Sequence, residues 1–407
     1  MLALSVSLRS GYSVGAVLLL VVGLCWWPAV FRREVPMPRE MALWAVAIVV
    51  MALVWSMHIM EGGRLITSTL GVDRVTKYWL VLLLLPALLA GTPAVGALFW
   101  GCVVGAAGAG LTALWQTVGQ EMPRAQGYTN AIQFGNLALL LGLWCGVWAL
   151  HVPGWRRLAA WLAAGMGLLA SIASGTRGGW VVLPPCLLLV LYFTLRRPAR
   201  GVAGPMARSL GLTLLICMPL AFLSPVQERV QEAFTQYASS STTGEGTSIG
   251  LRLAEWEFAW SQGVRHPGWG VGQMGYEQRQ REAVAAGDFP QEMLKLNHAH
   301  NEWLDMFAKR GVIGVAGLLL FFGVPLALFW RALRHADPEG AETAGPRRVA
   351  ALCGLVTVLG FLGFGMTQVM FAHNNGNLMY LLAVSIWLAV CLADPRRGST
   401  HRVQGHG

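Results

Sequence analysis

Apolar runs of membrane-spanning length recur from one end of this chain to the other, and no feature of the sequence constrains the fold more. About 20 such residues in a helix cross the hydrocarbon of a bilayer with every backbone group paired inside the segment. Charge is correspondingly scarce: 55% of the residues are hydrophobic and 12% charged, at a mean hydropathy of +0.53. Soluble domains carry roughly 25% charge. The pattern predicts an all-α polytopic membrane protein, a bundle of 11–12 transmembrane helices with one large, partly helical loop.

Eleven segments fit: residues 14–30, 41–60, 78–91, 93–115, 129–150, 156–174, 179–195, 209–224, 303–333, 349–371 and 377–393, the ninth entered through an interfacial turn. Arg9 precedes the first run, but WWPAVFRR follows it without a small-residue cleavage site, so the segment reads as a span and not as a removed signal. Eleven spans put the N-terminus outside. A twelfth helix within residues 1–30 would put both ends inside, and the sequence leaves both arrangements open.

Orientation follows from the basic loops. RRPARGVAGPMAR (196–208), the stretch around Arg331, Arg334, Arg347 and Arg348, and the tail DPRRGSTHR belong on the cytoplasmic side. The net charge of +10 is thus a topology signal, and nucleic acid is not expected as a partner. Loops 61–77, 116–128, 175–178, 225–302 and 372–376 then face outward. The division expected is an N-terminal bundle over 1–224, the large loop 225–302, C-terminal spans over 303–394 and a basic tail 395–407. Residues 225–300 hold six basic and nine acidic residues, the composition of a translocated, folded segment. Val226, Val230, Ala233, Phe234 and Tyr237 repeat at helical spacing there, SSSTTGEGTS (239–248) reads as a flexible stretch, and a second helix runs from Leu251 to about Gly263.

All seven cysteines lie in apolar runs, where they behave as small hydrophobes. His298, His300, Glu302 and Asp305 lack a defensible ligand spacing, so neither a metal nor a cofactor is expected.

The polar residues of interest stand at the outer edge. Arg177, in SGTRGGW, occupies a turn too tight to be a solvated loop; its guanidinium either offers a fork of donors to phosphate oxygens or snorkels from a helix end. Arg252 lies beside Glu255 and Trp256, which on spacing alone is an ordinary surface ion pair, and Arg265 is a similar case. His298 and His300 cannot share a helix face, being about 200° apart at i and i+2. A neutral imidazole at such an edge is suited to accept a proton. Asp305 and Lys309 read as a helix pair, and Gly311 as a bend.

His300-Asn301, nine residues, Gly311, two residues and Gly314 match the His-(Asn/Ser/Gln)-x9-Gly-x2-Gly motif, and the chain thereby resembles the O-antigen ligase and polymerase superfamily. Arg177 and Arg252 look like that family's two arginines, and the many spans with one late outer loop agree. The resemblance implies a metal-independent, inverting glycosyltransferase of the GT-C kind at the periplasmic face of a bacterial inner membrane. It implies an undecaprenyl-diphosphate-linked glycan as donor and a lipid A core sugar as acceptor. His300 would be the base, and Arg177 and Arg252, with Arg265 in reserve, would bind the diphosphate. His298, Asn301, Trp256, Trp260, Arg74 and Lys77 are further expected substrate contacts, the last two steering the anionic donor. A polymerase or a protein O-oligosaccharyltransferase of the same superfamily is the nearest alternative. Arg252 to Gly263 fits the Arg-x10-Gly pattern of polymerases and Arg177 does not, since Leu188 stands at the matching position, which leans toward the ligase. A lipid-glycan flippase is the alternative of another class, although charge is nearly absent from the span centres.

Overall fold

The structure, a computed structural model, describes residues 2–4, 6–32, 36–67, 70–196, 202–224, 226–228, 231–232, 248–335 and 345–393. The expected amphipathic helix around Val230 and Tyr237, the stretch 239–247, the arginine-containing stretch 197–201, the loop 336–344 and the tail from 394 fall wholly or largely outside these residues.

The chain is a polytopic all-α membrane protein. Its helices are α1 (Gly11–Leu24), α2 (Trp27–Phe31), α3 (Arg39–Ser56), α4 (Val72–Ala90), α5 (Val95–Leu114), α6 (Ala131–His151), α7 (Gly154–Ala173), α8 (Arg177–Trp180), α9 (Leu183–Leu195), α10 (Ala203–Ala221), α11 (Ser248–Arg265), α12 (Gly272–Ala285), α13 (Glu302–His335), α14 (Pro346–Gly365) and α15 (Asn374–Leu392). A two-stranded hairpin, β1 (Met60–Glu61) and β2 (Arg64–Leu65), follows α3. Eight helical segments among the described residues are long and apolar enough to cross a membrane: α3, α5 with its π-helical extension to Gly119, α6, α8–α9, α10, α13, α14 and α15. The other three expected spans also form helices. Of these, α1 has only 14 residues, whereas α4 and α7 carry charge in their first turns, at Asp73 and Arg74 and at Arg156 and Arg157. Ahead of α1 the chain makes a short 3-10 turn, Leu2–Leu4, laid against Gly101 and Gly105 of α5. No further helix of spanning length is found among the described residues of 1–30.

Burial orders the bundle. Helices α6, α14 and α15 are 83%, 78% and 94% buried over their apolar windows and form the centre, whereas α10, at 17%, lies at the rim. Small residues let α6 and α7 approach closely: a Cβ on Gly167 would sit 2.7 Å from the Ala138 carbonyl, the packing device of helices in lipid. Beneath the loop end an aromatic pillar joins Trp44, Phe321, Phe371 and Tyr380, with Trp44 on Phe321 at 5.3 Å and Phe321 to Phe371 at 5.5 Å. Its polar atoms are paired. Tyr380 donates to the Phe321 carbonyl at 3.0 Å, Tyr78 donates to Asn377 Oδ1 at 3.0 Å, and Asn377 donates to the Phe371 carbonyl at 2.7 Å. The pillar therefore holds the 366–373 loop at a fixed height.

Candidate active site

Helix alternation brings residues 57–67 and 70–71 and loops 116–130, 174–176 and 366–373 to one end of the bundle, and α11 and α12 lie there around a small core of Phe258, Tyr276 and Met293. Their attachment to α13 is made of backbone. Gly311 has φ 60° and ψ −157°, which breaks α13 in two. The Val312 amide donates to the Pro267 carbonyl at 2.7 Å, and the Ala308 carbonyl, which an unbroken helix would have used for Val312, accepts from Val271 at 3.0 Å. The turn HPGWGV thus replaces a helical bond with two of its own, satisfying groups that a kink would leave open. The bend read at Gly311 is a socket for this turn.

A second fastening lies just before the helix. Lys309, 2% exposed, donates to Asp305 at 2.7 Å and to the Asn297 carbonyl at 2.8 Å, and its ammonium lies 4.8 Å from the Tyr276 ring centre. Asp305 accepts from the Ala299 amide at 3.1 Å. The sequence suggested a plain helix pair; the structure makes it a buried clamp on residues 297–299, because α12 covers the face that spacing alone left open to water. Asn301 caps α13, accepting from Trp303 at 3.0 Å and Leu304 at 3.2 Å and donating to the Met366 carbonyl at 3.2 Å. At 5% exposure its side chain serves the scaffold, where substrate contact was expected.

Between clamp and cap, His300 has φ 46°, a left-handed conformation uncommon outside glycine. Neither histidine lies on a helix, and the turn brings their ring centres to 4.3 Å of each other. His300 Nδ1 lies 2.8 Å from Glu255 Oε2 on α11, with side chains 14% and 0% exposed. Burial, opposed by the hydrogen bond from His300, leaves the Glu255 carboxyl above its ordinary range. His298 is 6.0 Å from His373. Burial, then the neighbouring His300, pushes His298 down to about 3; burial, then Arg74, pushes His373 down to about 4. Both are neutral imidazoles at physiological pH.

The arginines divide into two groups. Arg177 opens α8 in a turn fixed by Arg124, which donates to the Ser174 carbonyl at 2.7 Å, and by Thr176, which donates to the Ala131 carbonyl at 3.1 Å. It pairs with Glu232 at 2.5 Å, side chains 29% and 46% exposed. Arg252, in the first turns of α11, is half-buried; burial lowers its guanidinium, Glu255 opposes that shift, and Arg177 lies close enough to add to it. Arg177, Arg252, Glu255 and His300 therefore share one locality. Arg265 does not join them: it ends α11, about 20 Å along the axis from Arg252, and is exposed. Trp256 is half-buried beside Arg252, while Trp260 is 57% exposed and packs on Phe307 at 5.4 Å.

Arg74 and Lys77, expected to steer the donor, are both engaged within the protein. Arg74 is 3% exposed and lies 4.0 Å from the Trp55 ring centre, with Arg310 at 4.3 Å from the same ring. Lys77 is tied to Asp73 at 2.5 Å, and Asp73 also accepts from Asn374 at 3.1 Å. Hairpin residue Glu61, unremarked in the sequence, accepts from the Gln273 and Met274 amides at 2.8 and 2.5 Å and so anchors the start of α12. Glu302 likewise accepts from the Phe371 amide at 3.0 Å. No local signal marks these contacts, since their partners are 69 to 213 residues distant.

Residues 158–319 match a family model described as O-antigen ligase. The interval contains Arg177, Arg252, Glu255 and His300. An uncharacterized protein of Haemophilus influenzae is 26% identical over 283 residues, 68% of each chain.

Proposed function

We propose, from the match of residues 158–319 to the O-antigen ligase family model, that this chain transfers a glycan from undecaprenyl diphosphate to a lipid A core sugar at the periplasmic face of the inner membrane. One observation carries the reading: two guanidiniums and a histidine, drawn from three separate segments, converge at one end of the bundle. Substrates with lipid tails suit such a position, because tails stay in hydrocarbon while sugars and phosphates reach the polar end.

The acceptor hydroxyl attacks the anomeric carbon directly, with inversion, as its proton passes to His300. Base assistance of this kind contributes about 100-fold or more. The bond to the diphosphate breaks, and the departing charge falls to Arg177 and Arg252, whose fixed donors stabilise it better than mobile water would. Arg177 must first exchange Glu232 for phosphate oxygens. An ion pair this exposed is worth no more than about 1 kcal/mol, so the exchange is easy.

Purified full-length protein, incubated in nanodiscs with lipid-linked glycan and rough lipopolysaccharide, tests the proposal. Glycan bonded to lipid A core is expected from the wild type and none from His300→Ala. Elongated lipid-linked glycan would indicate a polymerase, glycosylated peptide a protein oligosaccharyltransferase, and translocation without a new bond a flippase.

A further inference from the structure

Glu255 was legible in the sequence only as a neighbour of Arg252 three positions earlier on a helix. In the structure it is wholly buried, and among the described residues its one hydrogen bond is to His300; its second oxygen is buried with no partner. Buried carboxylates are seldom left half-satisfied without a role. The histidine side is equally specific. The φ of 46° turns His300 out of the path into α13, and Asn301 and the Lys309 clamp fix the backbone on both sides of it. Nδ1 faces a carboxylate, a partner that suits the tautomer with its proton on Nδ1 and its lone pair on Nε2, and Nε2 bonds to no described residue.

We propose that Glu255 is a positioning residue for the transfer: it holds His300 in the tautomer whose Nε2 accepts the acceptor's proton, and it stabilises the imidazolium that forms. The inference rests on the reading of His300 as base given above. The steps balance. The acceptor O–H proton moves to Nε2, the new C–O bond forms at the anomeric carbon, and the old bond's electron pair leaves on the diphosphate beside Arg177 and Arg252. The imidazolium then returns its proton to water. A carboxylate behind a histidine does the same work in unrelated hydrolases by orientation and charge, without taking the proton itself. A purely structural Glu255 would tie α11 to the 297–300 segment and nothing more.

The two roles separate in experiment. In full-length protein labelled with 15N-histidine, the resonances lost in His300→Gln are expected to be those of an Nδ1–H tautomer. Glu255→Gln is expected to lower kcat about 100-fold, the scale of general-base assistance, with the KM for the lipid-linked donor and the unfolding midpoint little changed. Glu255→Asp, which keeps the charge, is expected to recover at least about tenfold of that loss. Wild-type kcat in Glu255→Gln, an Nε2–H tautomer at His300, or an aspartate variant no better than glutamine overturns the inference. Transfer surviving in His300→Ala removes the base reading and this inference together. Transfer lost there but unchanged in Glu255→Gln removes this inference alone.

Discussion

Gly311→Ala attacks the joint between the loop helices and the bundle. Residue 311 has φ 60° and ψ −157°, a region open to little but glycine, and a side chain forced into it costs about 1–3 kcal/mol. A Cβ there would also collide with the carbonyls of Pro267 and Gly268, and overpacking adds about 1–3 kcal/mol. The escape is for the 266–271 turn to leave its socket, giving up the bonds of Val271 and Val312, at about 0.5–1.5 kcal/mol each. Undocking is then favoured by about 3 kcal/mol, or about 100-fold in the ratio of open to closed forms. Amide hydrogen exchange in nanodiscs reads this directly. Val271 and Val312 are expected to exchange about 100-fold faster, and glycan transfer to fall because α11 carries Arg252. Gly323→Ala, with nothing within 4 Å of its would-be Cβ, is the control and is expected to leave both amides protected. Unchanged protection in Gly311→Ala would contradict the socket.

Other outcomes follow from the same geometry. Arg177→Lys keeps charge but loses the planar fork, so transfer is expected to fall about tenfold or more with raised donor KM, whereas Arg265→Ala, remote and exposed, is expected to stay within about twofold of wild type by the same assay. Lys309→Met leaves Asp305 buried without its cation and is expected to destabilise by about 3–5 kcal/mol, read as a lowered unfolding midpoint. Acid should loosen residues 297–300. His298 and His373 titrate near 3 and 4 when folded but near 6.5 when unfolded, so the unfolded chain binds more protons between those values. Local stability is expected to be full above about pH 6.5 and to decline as pH falls toward 4, measured as exchange protection of the Ala299 and His300 amides.

How far the sequence reached is clearest at particular residues. The bend at Gly311 was visible because a glycine before an apolar run has few other uses. The turn that fills it, 41 to 45 positions earlier, was not, since HPGWG carries no mark of its destination. Arg74 and Lys77 looked like solvated loop cations for the same reason: nothing local to them announces Trp55 or the Asp73–Asn374 contact. Arg265 shared a charge and a helix with Arg252 but lay at the wrong end of it, and knowing which end mattered required the position of His300.

What the sequence determined by itself was the membrane-spanning helical class, because transferring an apolar segment into lipid is a local free energy set by that segment's own side chains. Its histidine motif and tight-turn arginine also fall within residues 158–319, the interval that matches the O-antigen ligase family model. Tertiary structure alone decided which charges are buried and which residues meet. Glu255 faces His300 across 45 positions, and two histidines held two apart on paper touch ring to ring. Such contacts depend on how helices dock and on one left-handed φ, and neither is encoded in the composition of any single stretch.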